Sequence, residues 1–172
     1  DVGLKYYITK KNSKGDIYVA NKTLDYISIY NEVPTSKQLS EMIYNEFTKG
    51  LLNDKKKYRK HNEVMFYLSC LGTLEIHVEK GYILSKGYKA ELEYLVENKI
   101  IKTYTTGNNY FYLNIGHRSL AHKIMLHILN IYSDIDELVQ KKNPIDLAVE
   151  YFQSVGNGSE QLFSTLQRLD LQ

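Results

Sequence analysis

The feature that most constrains the fold is an ordered series of short patterns between residues 62 and 114. Gly72 is expected to end a first helix, residues 81–84 to form a turn, and Ser85 to cap a later helix through its hydroxyl. Apolar residues recur at helical spacing and predict helices over residues 62–71, 74–80 and 86–98. Runs rich in β-branched and aromatic residues then predict a strand pair over residues 99–104 and 110–114, joined by a turn at 106–109.

This order of three helices and a two-stranded hairpin resembles the winged helix-turn-helix superfamily. The run from Glu79 to Tyr88 is similar to the turn between the second helix and the recognition helix of that superfamily. The run from Leu92 to Ile101 is similar to the end of the recognition helix before the wing. The resemblance covers residues 58–114. It implies a duplex-DNA-binding module whose third helix enters the major groove.

The flanking sequence predicts an α+β, mainly helical fold, with the central winged helix-turn-helix between an N-terminal β-hairpin and C-terminal helices. Two β-forming runs at residues 4–10 and 16–20, separated by a turn at 12–15, predict the hairpin. Amphipathic patterns predict further helices over residues 24–30, from a cap at Thr35 or Ser36 to a stop at Gly50, over 120–132, from Pro144 to Phe152 and around Leu162, Leu166 and Leu169. We therefore divide the chain into residues 1–57, which pack on the module, the module at 58–114, and a C-terminal helical region at 115–172.

Charge is unevenly distributed along the chain. Residues 1–132 contain 19 Lys and Arg against 13 Asp and Glu, whereas residues 133–172 contain 3 against 7. The basic part is suited to a polyanion, and the acidic C-terminal helices are suited to a protein partner. The most basic stretch lies just before the first module helix, at residues 53–60. A solvated lysine-rich loop is the alternative interpretation of this stretch.

The resemblance assigns the DNA contacts to three places. Exposed residues in the first turn of the third helix would reach base edges, the wing tip would lie along the backbone or minor groove, and flanking lysines would bind phosphates. Against this, Glu91, Glu93 and Glu97 lie in or beside the same face and repel phosphate, although Lys89 and Glu93 are spaced to form a helix pair. The candidate DNA-binding residues are Lys55, Lys56, Lys57, Arg59, Lys60, Ser85, Lys86, Lys89, Lys102, Thr106, Asn108 and Asn109.

The sequence carries no pattern typical of a catalytic, metal or cofactor site. His117, His122 and His127 are spaced by five, so on a helix they point in different directions and do not converge on an ion. His122 is expected to be exposed and His127 packed. The lone Cys70 lies in an apolar run and is expected to be buried. Aromatic residues favour sheets, so we expect strand positions rather than nucleophiles for the tyrosines at 6, 7, 18, 104, 110 and 112.

The leading hypothesis is a non-enzymatic duplex-DNA-binding protein, such as a transcriptional regulator or a replication or partition factor of a phage or plasmid. Two alternatives stay open: a winged-helix protein-interaction module of a larger assembly, and the DNA-recognition fragment of a larger enzyme. Residues 118–132 and 144–153 and the Leu162, Leu166 and Leu169 stripe are amphipathic, and we expect them to form a homodimer. No run of about 18 apolar residues occurs, so we expect no membrane span and a cytoplasmic location.

Overall fold

The computed structural model describes residues 16–105, 111–115, 117–132, 143–155 and Gln167, with the backbone alone for residues 111–114. The described helices are α1 (Ile17–Tyr30), α2 (Ser36–Thr48), α3 (Arg59–Gly72), α4 (Lys80–Ser85), α5 (Lys89–Glu97), α6 (Arg118–Ile131) and α7 (Pro144–Ser154). The described strands are β1 (Val78–Glu79), β2 (Lys102–Thr105) and β3 (Phe111–Asn114). The fold is α+β and mainly helical, as the sequence predicted.

The predicted N-terminal β-hairpin is wrong in its second strand, because that segment forms helix α1. The Asp16 carboxylate caps α1 by accepting a hydrogen bond of 3.0 Å from the backbone amide of Val19. Burial of one helical stripe outweighs the strand preference of Tyr18 and its neighbours. The rest of the predicted hairpin, residues 4–15, lies outside the described residues. The buried stripe consists of Val19, Thr23, Tyr26 and Ile27.

Helix α2 begins where the sequence predicted. The Thr35 hydroxyl accepts a bond of 3.2 Å from the Gln38 amide, and the Gln38 side chain accepts one of 2.8 Å from the Thr35 amide. This reciprocal capping box satisfies two amides at the start of the helix. After Thr48 the chain leaves the helix through Lys49 and Gly50, whose φ angles are 54° and 69°. The helix therefore ends just before Gly50, as predicted, since glycine adopts this left-handed conformation without steric cost.

The predicted second module helix, residues 74–80, is wrong. This segment forms a turn and then strand β1 at Val78–Glu79. Ile76 and Val78 are buried, whereas Glu75 and His77 are exposed, so the burial alternates with a period of two. That period is typical of a strand, and it could not be distinguished from a helical period over so few residues.

The turn predicted at residues 81–84 is wrong as well, because α4 occupies that position and the third helix begins only at Lys89. Ser85 is the last residue of α4, and its hydroxyl donates to the Tyr82 carbonyl oxygen at 2.8 Å instead of capping the next helix. Lys86, Gly87 and Tyr88 link α4 to α5, and Gly87 has a φ of 84°. This conformation suits glycine, so Gly87 turns the chain between the two helices.

The strands form an antiparallel sheet in the order β1–β3–β2. Strand β2 pairs with β3 as the sequence predicted, with Lys102 opposite Asn114. β2 begins later than expected because Lys99 adopts a φ of 54° and the next two residues, Ile100 and Ile101, are buried in the core. Strand β2 lies at an edge of the sheet, and Lys102, Thr103 and Thr105 are exposed.

Helix α3 is the centre of the core. Every residue from Val64 to Leu71 is buried, including Cys70, as predicted. Residues from all three predicted segments join the same apolar cluster, from Tyr44 near the end of α2 to Phe152 in α7. Burial of one large apolar side chain contributes about 1.5–3 kcal/mol, so this shared cluster accounts for the packing of the flanking helices on the module.

The helices predicted to form a homodimer bury their apolar faces within the chain. In α6, Ala121, Ile124 and Ile128 are buried, and α6 packs against both α2 and α3. In α7 the predicted stripe of Leu147, Ala148, Tyr151 and Phe152 is buried as well. These faces therefore complete the core within the chain. They are not available for the dimer contact that was predicted over residues 118–132 and 144–153. The third predicted stripe, around Leu166, lies outside the described residues.

A chain of hydrogen bonds crosses the core next to α3. The Tyr44 hydroxyl donates to Oδ1 of Asn62, and Nδ2 of Asn62 donates to the Tyr132 hydroxyl oxygen at 3.1 Å. The Tyr132 hydroxyl in turn donates to the backbone oxygen of Lys55 at 2.9 Å. Asn62 is fully buried, so its amide replaces water as the partner of both tyrosines.

We predict that Asn62→Ala lowers the free energy of unfolding by about 2–4 kcal/mol, because two buried hydroxyl groups lose a partner. Urea unfolding followed by circular dichroism measures this change. Asn21→Ala, which alters an exposed position of α1, is the control and should shift the stability by less than about 0.5 kcal/mol. Equal effects of the two substitutions would contradict the role given to the buried amide.

Candidate nucleic-acid interface

The basic segment, residues 53–60, is held in a defined turn. The Asp54 carboxylate accepts hydrogen bonds from the backbone amides of Lys56 at 3.1 Å and Lys57 at 3.0 Å. The backbone oxygen of Lys55 is fixed by Tyr132, as described above. The side chains of Lys55, Lys56, Lys57, Arg59 and Lys60 remain exposed. All five predicted residues are thus exposed to solvent, on a backbone that hydrogen bonds hold in place.

Two members of this surface have partners. Arg59 Nε lies 3.2 Å from Oε1 of Glu63, so part of its charge is neutralised. Lys57 Nζ lies 4.9 Å from the centre of the Tyr58 ring. The hydrogen bond to the Tyr58 side chain raises the pKa of Lys57, so Lys57 stays charged. Among the basic residues of the segment, Arg59 is therefore the least suited to bind phosphate.

An aromatic cluster connects the basic segment to helix α5. The His61 ring lies 5.2 Å from the Tyr58 ring and 4.8 Å from the Tyr94 ring, in edge-on contacts. Burial lowers the pKa of His61, and the nearby Glu91 carboxylate opposes this shift in part. The cluster fixes the basic segment beside α5 and keeps His61 neutral near pH 7.

Lys86 does not lie where the sequence placed it. It precedes α5, and its Nζ lies 2.6 Å from Oε1 of Glu150 in α7. The same ammonium group lies 4.7 Å and 5.0 Å from the ring centres of Tyr82 and Tyr67. With its side chain 20% exposed, Lys86 is part of the contact between α7 and the module. The prediction that it is an exposed residue of the third helix is wrong.

Helix α5 exposes a face of mixed charge. Lys89, in its first turn, has a side chain that is 78% exposed and lies 4.0 Å from Glu93 at the predicted spacing. Ala90, Glu93 and Glu97 are exposed as well, whereas Glu91 is half-buried. Lys89 is therefore the cation that α5 itself presents to solvent, and two carboxylates share its face.

Beside this face, Lys102 and Thr103 of strand β2 are exposed. A shallow groove of about 230 Å³ separates β2 from α5. Leu92 and Val96 are the apolar residues of its lining, and Glu93, Glu97 and Lys80 are the charged ones. The predicted wing-tip residues Thr106, Asn108 and Asn109 lie outside the described residues.

Three histidines were considered as metal ligands, and the structure places them apart. The Nδ1 atom of His117 accepts a bond of 3.2 Å from the Ser119 amide at the start of α6, His122 is exposed, and His127 is buried, as predicted for the last two. Within the described ranges, no group of three His, Cys, Asp or Glu side chains is placed to hold an ion. Of the tyrosines expected in strands, Tyr104 lies in β2, whereas Tyr18 lies in α1.

A polar cavity lies on the other side of the basic segment, between α2 and α6, and no sequence pattern indicated it. It has a volume of about 390 Å³ and is lined by Lys37, Tyr44, Asn45, Lys55, His127 and Asn130, among others. Lys55 was predicted as a DNA contact, but the other residues come from helices far apart in the sequence. In the sequence, a lysine or asparagine on an exposed helix face does not by itself indicate a binding site.

No known protein family, curated protein or solved structure shows detectable similarity to this chain. No helix in the described part of the chain is long and apolar enough to cross a membrane.

We predict that His127 makes the protein less stable in acid. Burial, reinforced by Lys55 and Lys37, lowers the pKa of His127 from 6.5 to about 4. The unfolded chain therefore binds a proton that the folded chain does not, and stability falls by up to about 3 kcal/mol as the pH drops from 6.5 to 4.

The measurement is the free energy of unfolding at several pH values for the wild type and for His127→Gln. The difference between the two pH slopes isolates His127 from the carboxylates and from His61. Asn21→Ala, which changes an exposed residue of α1 that does not titrate, should retain the wild-type slope. A His127→Gln slope equal to that of the wild type would refute the prediction.

Proposed function

We propose that the chain binds duplex DNA through a winged helix-turn-helix formed by residues 59–114. The observation that carries this proposal is the link between α4 and α5, which has three residues and a glycine with a φ of 84°. DNA-binding helix-turn-helix units join their two helices by a three- to four-residue turn that often contains glycine. The strand pair β2–β3 that follows, with β1 on the other edge of β3, supports a wing beside the second of these helices.

In this proposal, most contacts are made to phosphate. The exposed lysines of the basic segment and Lys102 of β2 supply mobile ammonium groups, and Lys89 in the first turn of α5 reaches the major groove. Lys86 contributes less than the sequence indicated, because Glu150 already neutralises it. Base recognition is limited to the start of α5 and the wing, whereas affinity comes from the lysines.

The biological role that fits these contacts is a transcriptional regulator or a replication or partition factor acting inside the cell without catalysis. A homodimer would match two half-sites on DNA, as helix-turn-helix dimers do. Because α6 and α7 bury their apolar faces, such a dimer would use another surface of the chain. A DNA-recognition fragment of a larger enzyme would make the same contacts.

The second candidate function is protein docking, and the groove between α5 and β2 favours it. The groove has two apolar residues and one more carboxylate than cation, since Lys80 lines it beside Glu93 and Glu97; it is therefore complementary to a basic partner with an apolar side chain. The same carboxylates repel DNA. The two functions therefore assign opposite effects to Glu93 and Glu97.

We predict that Lys56→Ala and Lys60→Ala each weaken duplex binding and reduce its dependence on salt. Each lost phosphate contact lowers the slope of log affinity against log salt by about 0.9. Fluorescence anisotropy with a labelled duplex, over a salt series, measures both quantities. Lys22→Ala is the matched control, because it removes one positive charge from α1, where Lys22 pairs with Glu46 at 2.7 Å. Binding weaker than about 10⁻⁴ M at low salt would refute the DNA proposal.

The double substitution Glu93→Gln and Glu97→Gln distinguishes the two functions. If α5 faces DNA, loss of two repelling charges should raise duplex affinity at low salt several-fold, on the order of 1 kcal/mol. Asp25→Asn with Glu46→Gln removes two carboxylates from α1 and α2 and is the control. An unchanged affinity for the Glu93 and Glu97 variant would favour protein docking by this face.

A further inference from the structure

We propose that the cavity between α2, the basic segment and α6 binds a small phosphate-bearing ligand of the nucleotide class. This site is distinct from the α5 face, and the proposal does not depend on DNA binding. The cavity volume of about 390 Å³ lies within the range of small-molecule sites, about 300–1,000 Å³.

The first observation is a buried histidine that lines the cavity. His127 is 9% exposed, and its Nδ1 atom has no hydrogen-bond partner among the described residues. The Tyr44 ring packs against its imidazole, with ring centres 4.4 Å apart. Native proteins rarely leave such an atom unpaired, and an unpaired one is a reason to look for a missing partner.

The second observation is that two lysines line the cavity. Lys37 and Lys55 both line the cavity, one from the first turn of α2 and one from the basic segment. Both are close enough to His127 to act on its charge. Neither forms an ion pair within the described part of the chain, and the one carboxylate on the lining is Glu41. A phosphate group would neutralise both lysines at once.

The third observation defines the rest of the ligand. Asn45, Asn53 and Asn130 line the same cavity, and each side-chain amide offers both a donor and an acceptor. Amides of this kind pair with the edges of nucleobases and with sugar hydroxyls. Two cations with three amides therefore match a nucleotide, which has an anionic end and a polar planar end.

The larger cavity between α1, α2 and α6, about 780 Å³, does not have this character. Its lining includes Asp16 and Glu75 as well as Arg118 and Lys123, so acidic and basic groups balance. The smaller cavity has a positive excess and a fixed wall, because Tyr132 holds the Lys55 backbone in place. Such a preformed wall reduces the ordering that a ligand must impose.

The test is a calorimetric titration of the full chain with AMP, with adenosine and inorganic phosphate as the two halves of the probe. We expect saturable AMP binding, and weaker binding of each half by at least tenfold. The variant Lys37→Ala with Lys55→Ala should weaken AMP binding at least tenfold. Lys56→Ala, which removes the neighbouring lysine outside the cavity, should bind AMP as the wild type does.

Three results would overturn the proposal: no saturable AMP binding up to millimolar concentrations, equal binding of inorganic phosphate and AMP, or equal loss of AMP binding in Lys56→Ala. A measurement of duplex binding distinguishes a site for a free nucleotide from a site that contacts a phosphate of DNA. If AMP fails to bind while Lys37→Ala weakens duplex binding, the cavity is a contact for the DNA backbone, and the small-ligand site is refuted. Thermal unfolding of each variant confirms that it is folded.

Discussion

Helix α3 is buried on all sides from Val64 to Leu71, and this burial determines where the other elements can lie. A helix that is apolar around its whole circumference must be covered by several neighbours. Here α6 covers one side, α5 and the sheet another, and α7 a third. The flanking helices are therefore part of the same core as the central module. A shorter fragment that contained residues 59–114 alone would expose the apolar surface that α6 and α7 now cover.

The surface near the candidate interface contains regions of different charge. The basic segment is rich in exposed lysines on a fixed backbone, whereas the start of α5 carries one exposed lysine beside glutamates. Glu150 holds Lys86 against the module, so the acidic C-terminal region neutralises a cation close to α5. Helix α7, which lies outside the candidate interface, thus partly determines the charge close to that interface. Any affinity for a polyanion reflects the balance between these regions and falls with salt.

Long amphipathic patterns predicted the structure best. Helices α2, α3, α6 and α7 lie where apolar spacing placed them, because several turns of a helix repeat the same signal. The segment from Leu74 to Tyr88 was misassigned because two turns of a helix and one short strand give similar patterns. Lys86 was misplaced for the same reason, and its partner Glu150 lies 64 residues away. The cavity at His127 depends on how α2 packs against α6, which no local pattern encodes.

The hydrogen-bonded chain through Asn62 has a consequence for the kinetics of folding. Tyr44 and Asn62 are 18 residues apart, and Asn62 and Tyr132 are 70 apart. Closing so long a loop costs entropy that local contacts do not, so we expect the link to Tyr132 to form after the helices have docked. Interactions that form late slow unfolding more than they speed folding. We therefore expect these few polar atoms to affect the lifetime of the folded molecule more than the rate at which it folds.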